Sequence, residues 1–395
     1  MALTTNMAAI QDALKNFYLD PIRYQMNEAN TPLLAAIEKT SKNIQGDKIV
    51  RYLRFGKNGG FGARVEDGTL PTPSNRKGLQ ITTGTKNLYG SFIITDKVIK
   101  ATSGNRGSFV NQLQTTIEDL LTDSKDNFDR QIHGDGTGIL AKATAAGSSA
   151  ATIKLAAATN MNVFYEGMRV DVHAVNHGTQ KADKKEIVAV DRAGLTITLE
   201  SNPTSAIADN DEITIQGSWN LEVTGLTAIQ TLNNTIYGVN RANNKWFNPT
   251  VTAIGGEIDD LKIQAALDEI DIRTGETPDL MIGSYGVRRA YQYLFQSTKR
   301  NVNTMEFHGG FKCLDYNGVA LTADKYQAAG VLDVLNTKSF TLDRLADWDF
   351  IESEGGGILT RLSGQPAFEA ALAMYGELIC DLPASNARLT GITEH

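Results

Sequence analysis

The sequence has little cysteine and no long apolar run, and each shortage narrows what the protein can be. Only two cysteines, Cys313 and Cys380, occur in 395 residues. They lack the CxxC spacing of metal or redox sites, so we expect buried, reduced thiols and no disulfide framework. No apolar run reaches the ~18 residues of a membrane span. The N-terminal residues also lack the basic and apolar regions of a signal peptide. We therefore expect no membrane partner and a protein made in a cytosol.

Basic side chains are outnumbered by acidic ones over the whole chain, 38 to 45, but they are concentrated in one segment. The net charge is -7, which opposes tight binding to phosphate groups, so any nucleic acid would be held loosely. Residues 48–100 hold ten basic side chains against three acidic ones, a balance of +7 that leaves -14 for the rest. This segment is either a solvated basic face or a surface that docks on an acidic region of another copy.

Catalytic motifs are incomplete. The glycines of HGDGTG, residues 133–138, are spaced GxGxG rather than GxGxxG and follow a helical pattern, which indicates a tight turn. His173 and His177 have metal-ligand spacing only for a helix, whereas the surrounding pattern predicts a strand. Ser284 follows a strand as in a nucleophile elbow, but Ile282 stands where glycine is required, so we interpret Ser284 as a helix N-cap. We predict no catalytic site, no cofactor and no metal.

The longest regular pattern predicts one helix over residues 108–133, which we call the spine helix. Ser108 is a suitable N-cap and Gly134 a suitable stop. At 1.5 Å per residue the helix would be about 39 Å long, more typical of a structural spine than of a compact enzyme. Apolar residues recur at steps of three and four along one stripe: Phe109, Leu113, Ile117, Leu120, Leu121, Phe128 and Ile132.

The basic segment predicts a long β-hairpin, with strands over 48–55 and 79–98. Between them lies a tip of more than 20 residues that contains Gly59, Gly60 and Pro71. An isolated hairpin is marginally stable in water. No later segment has the pattern of an obligate sheet partner, so we expect a neighbouring subunit to supply the contact. Likewise, residues 1–47 hold too few apolar residues for a core and should lie along their own chain or a neighbour.

Short β runs separated by turns predict a small barrel or sandwich over residues 141–217, inserted so that its two ends meet. The following block predicts a helix over 258–272 that ends near Gly275, a buried strand over 279–283 and a helix capped by Ser284. Residues 367–382 alternate as one long strand, which we expect to pack along the spine helix.

The order of these parts resembles that of the major capsid proteins of tailed bacteriophages, whose fold is shared with encapsulins and the herpesvirus capsid floor. The resemblance includes the turn IHGDGTGIL, the unit PDLMIGSYGVRRAYQYL and the closing ASNARLTGI, and it covers nearly all of the chain except 141–217. It implies an α+β capsid fold with these parts: an N-terminal arm (1–47), an extended β-hairpin or E-loop (48–100), the spine helix of a P-domain (101–140), an inserted small β-barrel-like domain (141–217), an A-domain (218–345) and the C-terminal strands of the P-domain (346–395).

The resemblance further implies a structural subunit that forms hexamers and pentamers of an icosahedral phage head around double-stranded DNA. Portal, scaffolding or cementing proteins would be partners. No coiled-coil pattern precedes residue 30, so a scaffold would be separate or absent. The alternatives are an encapsulin-like shell around a protein cargo and a β-rich hydrolase without a recognisable motif. Candidate contacts between subunits are Arg51, Arg54, Lys57, Phe61 and Arg64 on the hairpin and Glu118, Asp119, Asp123 and Asp126 on the spine helix.

Overall fold

The computed structural model describes residues 23–26, 31–72, 74–97, 106–297, 304–308, 311–352 and 358–395, with the backbone alone for 106–115 and 295–297. Most of the predicted N-terminal arm and the side chains of Ser108, Phe109 and Leu113 lie outside these residues. The described part is an α+β structure, as the sequence predicts, and its three largest β assemblies are a five-stranded sheet, a closed barrel and a seven-stranded sheet. Among the described helices, none combines the length and the apolar character that crossing a bilayer requires.

Between residues 31 and 133, the described part of the chain contains two helices and five strands. Thr31 begins the first helix, because its hydroxyl accepts a hydrogen bond from the Leu34 amide at 3.1 Å. The elements are α1 (Pro32–Ala36), β1 (Glu38–Thr40), β2 (Ile44–Gln45), β3 (Lys48–Phe55), β4 (Lys77–Gly84), β5 (Lys86–Thr95) and α2 (Arg106–His133), which is the spine helix.

The predicted hairpin exists, but its second strand is divided. Strands β3 and β4 pair antiparallel from Lys48 opposite Gly84 to Phe55 opposite Lys77. The pattern over 79–98 does not continue as one strand: β4 ends at Gly84, and β5 pairs with a different strand, residues 367–376, near the end of the sequence. The expectation that no later segment would pair with this run is therefore wrong. Its sheet partner is in the same chain.

The spine helix confirms the predicted periodicity and packs on β5. Its stripe buries Ile117, Leu121, Phe128 and Ile132. Gly90 of β5 allows the close approach: a Cβ atom there would lie 2.8 Å from Ser124 Oγ, inside any normal contact distance.

Six strands then close into a barrel, which resolves the predicted choice between barrel and sandwich. The closed order is β10-β7-β6-β11-β8-β9. Alternating strand residues fill the interior, and Ile153, Val170, Ile197 and Ile213 have no exposed surface. The strands are β6 (Ile139–Ser149), β7 (Thr152–Leu155), β8 (Arg169–His173), β9 (Gln180–Asp191), β10 (Thr196–Leu199) and β11 (Glu212–Ile215).

The chain enters and leaves the barrel at one narrow neck. The Asn220 amide donates to the Thr137 carbonyl at 2.7 Å. Gly138 has a φ of 76°, and a Cβ atom there would lie 2.5 Å from the Ser218 carbonyl oxygen, so only glycine fits the crossing. The two ends of the barrel segment therefore meet, as predicted.

The remaining chain builds a seven-stranded sheet and completes a five-stranded one. The helix over Asp260–Thr274 is capped by Gly275, and the Val287 amide donates to Ser284 Oγ at 3.2 Å, so both predicted helix boundaries are confirmed. The elements are α3 (Leu226–Ile229), β12 (Thr235–Ile236), β13 (Val239–Asn240), β14 (Thr250–Gly256), α4 (Asp260–Thr274), β15 (Leu280–Gly283), α5 (Tyr285–Ser297), β16 (Thr304–Phe307), β17 (Phe311–Tyr316), β18 (Val319–Ala323), β19 (Leu332–Leu335), β20 (Phe340–Phe350), β21 (Thr360–Arg361), β22 (Ala367–Cys380) and β23 (Ala387–Ile392).

The long strand predicted near the end of the sequence is β22. It lies inside the five-stranded sheet, with β5 on one side and β20 on the other; β21 and β1 complete the sheet. The spine helix lies over β5 and reaches β20, where Phe128 packs edge-to-face on Trp348 with ring centroids 5.8 Å apart. The seven-stranded sheet has the order β14-β23-β19-β15-β18-β17-β16. Cys313 and Cys380 are buried free thiols, as expected.

Candidate functional site

The base of the hairpin is fixed to its own chain by Arg51. The guanidinium binds Asp343 with two hydrogen bonds, Nε to Oδ2 at 2.9 Å and Nη2 to Oδ1 at 2.6 Å. It also donates to Asp381 and to Thr341. Burial lowers the pKa of Arg51, but the hydrogen-bonded Asp343 and the nearby Asp381 carboxylate more than offset this and raise it above its ordinary value. Arg51, predicted as a contact between subunits, is therefore engaged within the chain.

Apolar and backbone contacts reinforce this base. Ile49 and Ile81, one on each strand, are almost fully buried. The Phe55 ring stacks on Trp246 with centroids 4.3 Å apart. The Thr82 amide donates to the Tyr237 carbonyl at 3.1 Å. The paired strands β3 and β4 are thus part of the subunit's own core.

Beyond the base, the described residues of the hairpin tip, 56–72 and 74–76, are mostly exposed and include three large apolar side chains. Phe61 is 96% exposed, Leu70 81% and Val65 73%. Exposed apolar side chains grouped on one protruding segment are typical of an interaction surface. Five exposed cationic side chains lie on or next to this tip: Arg54, Lys57, Arg64, Arg76 and Lys77.

The predicted acidic contacts on the spine helix divide into two groups. Glu118, Asp119 and Asp123 are exposed. Burial raises the pKa of Asp123 above its usual value, with smaller contributions from the Asp119 and Asp126 carboxylates. Asp126 instead forms an ion pair with Lys325 and accepts a hydrogen bond from the Tyr326 hydroxyl. Asp126, like Arg51, is therefore engaged within the chain.

The last turns of the spine helix form a buried polar junction that the sequence analysis did not identify. Arg130 and Glu222 form a two-bonded ion pair, with Nη1 to Oε2 at 3.0 Å and Nη2 to Oε1 at 2.5 Å. Both side chains are less than a tenth exposed. The pair joins the helix to the chain that returns from the barrel.

One turn further on, His133 lies between two carboxylates. Its Nε2 is 3.8 Å from Asp129 Oδ1 and 3.6 Å from Asp324 Oδ1. Burial lowers the pKa of His133, but Asp324 first and then Asp129 raise it to about 9. Burial, followed by repulsion from Asp324, raises the pKa of Asp129 to about 7. The Asp324 carboxyl is also buried, which opposes ionisation, yet attraction to His133 holds its pKa below the usual range.

A chain of hydrogen bonds continues from His133 into the seven-stranded sheet. His133 Nδ1 lies 3.0 Å from Gln327 Oε1, and Gln327 Nε2 donates to Asp333 Oδ2 at 2.8 Å. Arg388 then holds Asp333 with two bonds of 2.6 and 2.7 Å. The helical spacing of Asp129 and His133 was a usable signal for half of this junction. Nothing in the sequence pattern linked either residue to position 324.

The motifs considered in the sequence analysis have structural explanations. His173 and His177 stack on each other at 3.8 Å, and His177 also stacks on Trp219 at 4.3 Å. In the described part of the chain, the group with metal-ligand geometry is Asp129, His133 and Asp324, and the stacked pair does not belong to it.

Comparison with known proteins identifies the fold. No protein-family model and no curated protein sequence matches the chain. Among solved structures, the cyanophage A-1(L) capsid asymmetric unit matches with a TM-score of 0.54 at 10% identity, over 97% of this chain and 96% of that one. The chain therefore has the phage capsid fold that the order of its parts predicts.

Two further similarities are weaker. A chain from Mycobacterium phage Bobi matches with a TM-score of 0.46 at 9% identity, over 91% of this chain and 90% of that one. The SrpI encapsulin complex of Synechococcus elongatus PCC 7942 gives 0.43 at 11% identity, over 93% and 90%. The solved structure that supports the fold with a TM-score above 0.5 is a phage capsid, and the encapsulin-like alternative is not favoured. The assignment of the arm, E-loop, P-domain, A-domain and inserted domain to residue ranges stays a prediction.

Proposed function

We propose that the protein is the structural subunit of a phage head, which assembles into hexamers and pentamers of an icosahedral shell around double-stranded DNA. The observation that supports this most is the similarity to a capsid asymmetric unit across 97% of the chain. A subunit that closes a shell needs a protruding element that contacts its neighbours, and the exposed hairpin tip has that character.

The tip offers two kinds of contact to a neighbouring subunit. Burying one large apolar side chain such as Phe61 contributes about 1.5–3 kcal/mol. The cationic side chains, Arg54 and Arg64 among them, would face the exposed acids Glu118, Asp119 and Asp123 of the neighbour's spine helix. Each exposed ion pair contributes only ~0–1 kcal/mol, but a shell repeats the contact many times and the charges also steer docking. Apolar burial thus supplies most of the affinity, and charge supplies orientation.

The net charge also indicates how the subunit would contact packaged DNA. A net charge of -7 fits packaged DNA held by weak, non-specific contact rather than tight binding. The protein itself is the main partner, with a portal protein and a separate scaffolding or cementing protein as further partners. Assembly would take place in the host cytoplasm, and the finished protein would belong to the capsid shell of the virion.

The direct test is electron microscopy and sedimentation of the purified chain, alone and with a crowding polymer. We expect closed shells built of five-fold and six-fold rings. A chain that stays monomeric under all of these conditions would contradict self-assembly. Nuclease-resistant DNA in the particles would support a phage head, whereas a co-purified protein cargo would support an encapsulin-like compartment.

A charge-reversal pair tests the role of the hairpin. Arg54→Glu combined with Arg64→Glu should leave the monomer folded by circular dichroism but slow particle formation strongly, because both side chains are exposed and neither belongs to the Arg51 network. The matched control reverses two exposed charges on the barrel, Arg169→Glu and Lys184→Glu, and should assemble normally. Equal assembly rates for the two double variants would refute recognition by hairpin charge.

A further inference from the structure

We propose that Asp129, His133 and Asp324 form a binding site for a divalent transition-metal ion, with Zn²⁺ preferred, which fastens the end of the spine helix to the segment after β18. Asp129 and His133 lie one helical turn apart on α2, and Asp324 follows β18 directly. The site is formed within one chain, so the inference does not depend on the proposed function.

The distances fit metal coordination better than direct hydrogen bonds. His133 Nε2 is 3.6 Å from Asp324 Oδ1 and 3.8 Å from Asp129 Oδ1. An N–H···O hydrogen bond would bring these atoms to about 2.7–3.2 Å. Two ligand atoms bonded tetrahedrally to one Zn²⁺ lie about 3.4 Å apart, because each bond is about 2.0–2.1 Å long. The three ligand atoms lie within 4.8 Å of one another, so a modest inward movement of the carboxylates would complete the coordination.

Burial supplies an independent reason to place an ion there. Asp129 is 8% exposed and His133 6%. Within the residues that the structure describes, the buried Asp129 Oδ1 has no hydrogen-bond donor. A buried carboxylate oxygen without a donor is costly, at roughly 1–3 kcal/mol or more. A metal ion at this position would satisfy it.

The surroundings hold each ligand in an orientation suited to a metal. Gln327 Nε2 is committed to Asp333, so the Gln327 carbonyl oxygen faces His133 Nδ1 at 3.0 Å. Nδ1 therefore carries a proton that faces Gln327, and displacement of the Nε2 proton by an incoming metal ion would leave the Nε2 lone pair directed at the two carboxylates. The Tyr326 amide donates to Asp324 Oδ1 at 2.7 Å and orients that carboxylate. Metal-binding histidines typically donate their other nitrogen in this way.

An entry path exists. Asp324 and Gln327 line a cavity of about 380 Å³ between the barrel and the start of α5. The Asp324 side chain is 13% exposed. A hydrated ion can therefore reach the carboxylate before it loses water to the buried ligands. The fourth coordination position would be taken by water from this cavity.

The test uses the full chain, stripped with a chelator and titrated with Zn²⁺ by calorimetry and by metal analysis after dialysis. We expect one ion per chain and a higher Tm with Zn²⁺. Asp324→Asn and His133→Asn should each weaken binding at least tenfold. Gln327→Ala should weaken it roughly 10–100-fold by releasing the ring orientation. The control is His177→Asn, which removes a histidine from the stacked pair at a positive φ that asparagine tolerates.

Co²⁺ added to the unaltered chain provides a second readout that does not depend on variant folding. A visible absorption spectrum of a tetrahedral nitrogen and oxygen site should develop at one equivalent and disappear when Zn²⁺ is added. No ion retained by the unaltered chain, or equal affinity in the Asp324→Asn variant, would overturn the proposal. A protonated His133 between two carboxylates would then account for the site.

Discussion

Removing the Arg51 guanidinium while keeping an unbranched apolar stem should destabilise the subunit strongly. Arg51→Met deletes both bonds to Asp343 and the contacts to Asp381 and Thr341. The Asp343 side chain has no exposed surface, so its carboxylate would stay buried without a counter-charge. Breaking a buried ion pair on one side typically costs about 3–5 kcal/mol. Because Asp381 is about a third exposed and can turn to solvent, we expect the lower half of that range.

Two matched variants separate the cost of leaving Asp343 buried without a counter-charge from the cost of losing the Arg51 side-chain atoms. Arg54→Met changes an exposed residue of the same strand, and should alter stability by no more than about 0.5 kcal/mol. Arg51→Met combined with Asp343→Leu removes both charges and should recover most of the loss, since an apolar pair of similar volume replaces a buried ion pair at little cost.

The assay is urea unfolding of the soluble subunit, followed by tryptophan fluorescence at a concentration where it is monomeric. A free energy of unfolding for Arg51→Met within error of that for Arg54→Met would refute the reasoning. It would mean that the Arg51 contacts form only weakly in solution. The hairpin base would then be free to move, and Arg51 would again be available to a neighbouring subunit.

Three further predictions concern the core, a buried acid and the barrel. Phe128→Ala should cost about 3–5 kcal/mol in urea unfolding, because the ring is fully buried against Trp348; a loss below about 1 kcal/mol would remove the proposed packing of the spine helix. Burial raises the pKa of Glu377 to about 7 although the Thr224 amide donates to it at 2.7 Å. The unfolded chain releases this proton near pH 4.5, whereas the folded chain retains it until about pH 7. The contribution of Glu377 to stability is therefore fully present below pH 4.5 and is lost, by about 3 kcal/mol in all, as the pH rises through 7. Glu377→Gln should flatten that slope, and equal slopes for the variant and the parent would contradict the assignment. Replacing residues 143–216 by a short Gly/Ser linker should leave a soluble, folded remainder by circular dichroism, since the chain enters and leaves the barrel at the neck between Thr137 and Asn220; aggregation would show that the barrel belongs to the main core.

Patterns within a few neighbouring residues predicted the individual helices and strands, whereas tertiary contacts determined which strands pair with one another. The spine helix, the long strand β22 and the Ser284 cap were predictable because a period of 3.6 or 2 and a capping residue act within a few positions. The break between β4 and β5 was not, because both halves carry the same alternating pattern. What separates them is that β5 pairs with β22, and periodicity contains no information on a partner so distant in the sequence.

The charge pattern of the sequence likewise does not show which distant charged residues pair. The local excess of basic residues predicted that the hairpin contacts acidic side chains, but it did not predict which ones. Arg51 reaches Asp343 and Asp381, and Asp126 reaches Lys325, all within one chain. In the sequence, His133 is marked only as the first residue of the HGDGTG turn. Asp324, whose carboxylate raises the pKa of His133, lies directly after strand β18 and nearly two hundred residues later in the sequence.

Both large sheets depend on strands that leave the ribosome late. Strand β22 lies between β5 and β20 in one sheet, and β23 lies between β14 and β19 in the other. Translation proceeds from the N-terminus, so β5 and β14 must wait, without their hydrogen-bonding partners, until residues 367–392 have been made. A nascent or prematurely terminated chain therefore lacks an interior strand of each sheet. The order of synthesis therefore leaves both large sheets incomplete until the last strands have been made.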